Sequence, residues 1–154
     1  KLVTANIDGI GTDERKRRQT IKYLEYLLQR FDVACITEAR AHDLEGLRHC
    51  LKGCAMFQCF VDSTQKADAG VFIVVRQQVL EHYDVDSVYR SESKTGKGRI
   101  VSITLKPKAG SNVAFSTCRI TCAYLQSGDT ANAVRDKVAQ LDEIFSIPKS
   151  TDLN

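Results

Sequence analysis

Phe31-Asp32-Val33-Ala34-Cys35-Ile36-Thr37-Glu38 is the stretch on which the reading of this chain turns. Val33 to Ile36 is a short apolar run of the kind that fills a buried strand. It ends in a carboxylate, and an ionised carboxylate avoids an apolar setting unless it is paired or bound to a cation. Glu38, at the carboxyl end of the strand, is therefore a metal-ligand candidate. The plainer alternative is a solvated Glu at a strand end. Asn6-Ile7-Asp8-Gly9 lies upstream, at the end of a shorter apolar stretch, Leu2 to Ile7.

Working outward, Asp8 to Gly11 breaks the first strand. Thr12 is placed to cap a helix, with Asp13 and Glu14 at the positive end of its dipole. Ile21, Leu24, Leu27, Leu28 and Phe31 recur at helical spacing behind an Arg15-Lys16-Arg17-Arg18 run. A short helix is expected over Asp43 to Leu51, a strand over Met56 to Val61, and a polar connection over Ser63 to Ala69. Gly70 to Val75 reads as a strand buried on both faces. Val79 to Tyr89 reads as extended and Ser91 to Gly98 as a turn. Arg99 to Leu105 alternates, with Val101, Ile103 and Leu105 on one face, and Arg99 is expected to end its strand in a salt bridge. Lys106 to Asn112 reads as a hairpin loop and Val113 to Tyr124 as a strand. After Gly128-Asp129 a helix follows, with Ala133, Val134, Val138, Leu141 and Ile144-Phe145 on its apolar side, stopped by Pro148.

The 154 residues suffice for one domain with a real core. Hydrophobic residues at 43% and charged residues at 27% fit an ordinary globular chain, and a net charge of +3 permits a polyanionic partner without requiring one. No apolar run approaches membrane-spanning length and Lys1 opens no signal-peptide pattern, so no membrane partner is expected. The first residue is not Met, which suggests a fragment or a processed product. Of six cysteines, Cys35, Cys118 and Cys122 fall in strand patterns. They read as buried free thiols in a reducing, intracellular compartment. His49, Cys50, Cys54 and Cys59 lack the spacing of a zinc site. No Ser/His/Asp set or phosphate-binding glycine loop is visible.

Five segments together carry a resemblance. Asn6-Ile7-Asp8-Gly9-Ile10, Asp32 to Ala39, Ala69-Gly70-Val71-Phe72-Ile73-Val74, Gly98-Arg99-Ile100-Val101 and Cys122-Ala123-Tyr124, followed by a helix bearing Arg135, resemble in order the N-terminal motifs of the exonuclease–endonuclease–phosphatase superfamily. The nearest flavour is its abasic-site and non-LTR retrotransposon endonuclease branch. The chain departs from the family pattern at Thr37, Ala39, Asp8 and Leu125 to Ser127. The later family motifs, Gly-Asp-x-Asn and Ser-Asp-His, are not found. Asp152-Leu153-Asn154 has only the Asp-x-Asn spacing.

The resemblance implies an α/β (α+β) fold, half of a four-layer α/β/β/α sandwich with mostly antiparallel strands and flanking helices. The whole chain, 1–154, would be one partial domain lacking its C-terminal half. Half a sandwich would leave an apolar sheet face needing a second half-domain or partner protein as cover. It further implies Mg²⁺, with Mn²⁺ as an alternative, held by Glu38. Asn6 would help hold a phosphate or a catalytic carboxylate, and Tyr124 would hydrogen-bond a phosphate oxygen. Arg15, Lys16, Arg17 and Arg18 would touch a DNA backbone, which fits a nuclear location. For each the plain alternative stays open: Asn6 as a turn cap, Tyr124 as core, the basic run as a solvated helix face. The expected function is part of a Mg²⁺-dependent DNA endonuclease, inactive alone for want of a general base. A phosphatase of inositol lipids or nucleotides is the rival within the family. Outside enzymology the alternative is a degenerate half-domain serving as a structural or binding subunit.

Overall fold

Val71, Phe72, Ile73, Val74 and Val75 are all fully buried, which requires cover on both faces of the strand that carries them. The computed structural model shows what supplies it. It describes residues 1–10, 13–39, 47–48, 51–60, 70–113 and 115–148. Strands β1 (Leu2–Asn6), β2 (Val33–Thr37), β3 (Cys54–Cys59) and β4 (Val71–Arg76) form one sheet in the order β1-β2-β4-β3. β1 and β2 run parallel, and β4 is antiparallel to both β2 and β3. Strands β5 (Tyr83–Arg90), β6 (Ile100–Pro107) and β7 (Cys118–Ala123) form a second, antiparallel sheet in chain order.

Helix α1 (Glu14–Arg30) is the crossover that a parallel β1–β2 pair needs. Its cap is Asp13, whose carboxylate accepts the Arg15 N–H at 2.9 Å, rather than the expected Thr12, which lies outside the described residues. Leu24, Leu27 and Leu28 of α1 pack on Ala34, Ile36, Phe72 and Val74, one face of the first sheet. The other face, Val33, Cys35, Val71, Ile73 and Val75, packs on Val101, Ile103, Leu105 and Cys122 of the second sheet. The expected open sheet face is thus corrected: alternation along β2 and β4 sends one row of side chains to a helix and the next to another sheet.

The strands expected over 56–61, 70–75 and 99–105 form at 54–59, 71–76 and 100–107, the first beginning two residues early. The extended reading of 79–89 is corrected at its start, where α2 (Gln77–Leu80) makes one turn before β5. β7 is shorter than the predicted 113–124. Of the helix expected over 43–51, only residues 47–48 are described as helical; Leu47 and Leu51 are buried. The polar connection at 63–69 lies outside the described residues. Cys35, Cys54, Cys59, Cys118 and Cys122 are free thiols, with Cys118 only half-buried.

Helix α3 (Ala131–Ser146) departs most from expectation. Thr130 caps it, and it ends before Pro148 as expected. It covers the outer face of the second sheet, where Ser102 and Thr104 are buried, but with a polar side. Gln140 is 0% exposed; its Oε1 accepts the Gln126 N–H at 2.8 Å and its Nε2 donates to the Thr95 carbonyl at 2.6 Å. The Glu143 carboxylate accepts from Tyr89 Oη at 2.7 Å and Ser93 Oγ at 2.6 Å. Gly96 is required beside it, because a Cβ there would stand 2.5 Å from Glu143 Oε2. The predicted apolar side is therefore largely turned to solvent. Specific hydrogen bonds, not hydrophobic area, dock this helix.

Two predictions follow from that docking. Gln140→Leu strands a buried amide N–H and a carbonyl and is expected to cost about 2–4 kcal/mol in urea unfolding, whereas Val138→Ala changes stability by less than about 0.5 kcal/mol. Equal costs would refute this orientation of α3. Burial opposes ionisation of Glu143, but hydrogen bonds from Ser91, Ser93 and Tyr89 outweigh it and hold its carboxyl below the ordinary 4.5. A depressed folded-state value means that its stabilisation is complete above that ordinary value and is lost as pH falls through the lowered one. Glu143→Gln should flatten the acid limb of the stability–pH curve.

Candidate active site

The carboxyl ends of β1 and β2 lie side by side, with Asn6 opposite Thr37 in the parallel register. Such ends are where α/β folds gather ligands. Asn6 Nδ2 donates to Glu38 Oε1 at 2.7 Å, and Asn6 Oδ1 accepts the Asp8 N–H at 3.0 Å. One amide therefore does both jobs that the sequence left open: it caps the turn and it holds the carboxylate. Asp8 belongs to that turn, as expected.

Glu38 and Asp8 both have left-handed backbones, with φ of 54° and 45°. For residues with a Cβ this costs on the order of 1–3 kcal/mol each. Main-chain bonds hold the conformation: Gly9 N–H to the Glu38 carbonyl at 2.6 Å, Ile10 N–H to the Ala39 carbonyl at 2.8 Å, and Ala39 N–H to the Gly70 carbonyl at 2.9 Å. Strain held at one point by bonds from three segments is how a fold aims a side chain it does not bury.

Tyr124 reaches the same carboxylate from the second sheet, just past β7. Its hydroxyl hydrogen-bonds Glu38, and that bond, with burial and the nearby negative charge, pushes the phenol above its ordinary value. The guanidinium of Arg99 lies over the Tyr124 ring, 5.3 Å from its centroid. This is a cation–π contact; the expected salt bridge is not found among the described residues. The Tyr124 N–H bonds the Arg99 carbonyl at 2.8 Å. Asn6, Glu38 and Tyr124, far apart in sequence, thus meet at one end of the sandwich, two from one sheet and one from the other.

Sequence reasoning missed Arg99 as part of this cluster. Its place in the Gly98-Arg99 strand start was the available signal. Beyond Tyr124, Lys94, Thr95, Arg99 and Gln126 line a polar cleft of about 560 Å³. The basic run begins α1 at the same end of the molecule, since residues 7–13 lead from β1 to the helix. Arg15, Lys16 and Arg18 are exposed and Arg17 is half-buried; Arg18 pairs with Glu14. Among the described residues, no group of three or more His, Cys, Asp or Glu side chains is placed to hold a metal ion, and no helix is long and apolar enough to cross a membrane. His42 and His49 lie outside the described residues. His82 lines a groove with Leu2, Val33 and Leu105, at the opposite end of β1 and β2 from Glu38.

The comparisons with known proteins agree on the fold. No curated protein matches the chain. The AP endonuclease LMAP from Leishmania major superposes with a TM-score of 0.64 at 14% identity, over 94% of this chain and 46% of that one. Humanized D. rerio TDP2 gives 0.62 at 16%, over 97% and 57%. The human Nocturnin catalytic domain gives 0.57 at 16%, over 93% and 58%. The chain spans about half the length of these solved relatives. The sequence model of the Endonuclease/Exonuclease/phosphatase family matches residues 3–142, and the chain belongs to that family.

Proposed function

We propose that this chain carries one wall of a divalent-cation phosphodiesterase site whose substrate is a DNA strand, of the abasic-site or retrotransposon endonuclease type. The observation that carries the reading is the convergence of Asn6, Glu38 and Tyr124 across the two sheets. The donor set fits Mg²⁺, which is commonly held by one or two carboxylates while phosphate oxygens and water complete its octahedron. Mn²⁺ would accept the same oxygens. Glu38 would hold the cation, which when bound offsets charge on the phosphate.

The remaining work falls to the chain's own groups. Asn6 orients the carboxylate without adding charge. The Tyr124 phenol, pushed up, keeps its proton and donates it in a hydrogen bond to the Glu38 carboxylate; with that carboxylate turned to a cation it would donate to a phosphate oxygen instead. Arg99 and Lys94 beside it, and Arg15, Lys16 and Arg18 on α1, supply positive charge for the flanking backbone. The described residues bring no histidine to Glu38 to activate water. The 154-residue chain is accordingly expected to bind cation and DNA but to turn over little by itself, with the completing residues supplied by a second half-domain or partner protein. Such a substrate implies work in the nucleus.

Isothermal titration of Mg²⁺ into the chain should show binding that Glu38→Gln abolishes; equal binding by the two would remove Glu38 from the role. Glu38→Gly, which relieves the left-handed strain, is expected to lose the cation while keeping stability within about 1 kcal/mol. Robust nicking of supercoiled or abasic DNA by the chain alone would sink the prediction of low turnover. For the basic run, the Arg15→Ala/Lys16→Ala pair should lower the slope of log K against log salt by about 0.9 for each phosphate contact removed. An unchanged slope would mean that this helix end is only a solvated face.

A further inference from the structure

Helix α1 turns toward water a face on which cations and aromatic rings share one line. Its buried leucines, Leu24, Leu27 and Leu28, press on the first sheet. Arg15, Gln19, Lys22 and Tyr26 follow one another at intervals of four, three and four residues, which lines them up on the opposite side of the helix. All four are exposed, Tyr26 by 46%, and Tyr23 stands one turn before it with the same exposure. The Arg30 guanidinium lies over the Tyr26 ring, 4.4 Å from its centroid. No carboxylate interrupts the line: of the two acids on the helix, Glu14 is paired with Arg18 and Glu25 lies on the flank toward β3. α1 is the outer layer on its side of the sandwich. A layered domain is extended by strands and helices set beside those present, so completion of the sandwich adds elements alongside α1 and not over this face.

We propose that this face binds single-stranded DNA, with one base stacked on Tyr26, the next on Tyr23, and Arg15 and Lys22 on the phosphates. Charge and ring chemistry together select that occupant. A line of cations matches a polyanion, but phosphates alone make no use of two exposed rings. An unpaired strand does, because each of its bases presents a π face that a duplex keeps within its stack. The arginine over the ring adds a cation beside the stacking surface. The face is also continuous with the basic run that opens the helix at the Glu38 end, so a strand lying along it leads away from the candidate site. From Arg15 to Arg30 the helix covers about 22 Å, room for roughly four nucleotides, the small end of single-strand site sizes. The surface goes beyond the cation site and needs neither Glu38 nor a bound metal.

Fluorescence anisotropy of a labelled oligothymidylate of about twelve nucleotides, titrated with the 154-residue chain in EDTA at low salt, tests the proposal apart from the cation site. Binding is expected with a dissociation constant on the order of 10⁻⁶–10⁻⁴ M. Tyr26→Ala, with circular dichroism and melting temperature as in the parent, should weaken it at least about fivefold and leave the affinity for a duplex of the same length unchanged. Tyr26→Phe keeps the ring and should bind like the parent. Because Tyr26 is exposed the fold should survive; Tyr23→Ala serves as the second variant if it does not. Lys22→Gln should lower the slope of log K against log salt by about 0.7. Absence of binding, an unchanged affinity in Tyr26→Ala, a loss that Tyr26→Phe shares, or an equal loss for the duplex overturns the proposal. None of these outcomes bears on Glu38, whose cation is absent from the experiment.

Discussion

A strand buried on both faces must still deliver a carboxylate to water. β2 meets this constraint by turning sharply at Glu38, and the surrounding structure is organised about that turn. The left-handed residue would not persist alone. It persists because the carbonyls of Glu38 and Ala39 accept from Gly9 and Ile10, and the Ala39 N–H reaches Gly70. The β1–α1 connection, the end of β2 and the start of β4 are thereby fixed at one point. The same bonds that end the strand place Asn6 against the Glu38 carboxylate. Fold and site are one set of hydrogen bonds here, and the local strain is concentrated where the chemistry is.

The second sheet completes the site for a reason of packing. Val101, Ile103, Leu105 and Cys122 seal the inner face of the first sheet, which forces β7 close enough to β2 for Tyr124 to reach Glu38. A thiol contact shows the closeness: Cys122 Sγ, on the second sheet, donates to the Ile36 carbonyl of β2 at 3.4 Å. A phenol that meets a carboxylate there is held protonated, so the pair is a donor beside an acceptor rather than two charges. Arg99 over the ring keeps positive charge near without pairing it directly to Glu38.

What the amino-acid order disclosed divides along a physical line. β2, β4 and α1 were legible because their burial is symmetrical: a continuous apolar run for a strand covered twice, a single leucine stripe for a helix covered once. Glu38, Asn6 and Tyr124 were legible as candidates because each sits at a strand end in a recognisable motif. Their mutual contact was not, since Tyr124 arrives from the other sheet by way of residues far along the chain. Arg99 was read only as a strand-end ion pair, because a guanidinium over a ring leaves no mark in periodicity. The facing of α3 was misread for a related cause. Its apolar stripe is real, but Gln140 and Glu143 have partners in Thr95, Gln126, Tyr89 and Ser93, and nothing in local sequence names them.

That inversion of α3 has its own logic. A helix docked by apolar area can slide by a turn at modest cost, whereas one docked by a buried amide with both ends bonded has a single register. Gln140 is bonded to Thr95 and Gln126, and Arg99 with Tyr124 follows closely in the same two segments. Fixing α3 therefore fixes the loops on either side of the Arg99–Tyr124 pair. The consequence is an apolar stripe left outside, on a helix whose inner face is committed to holding one wall of the site in place.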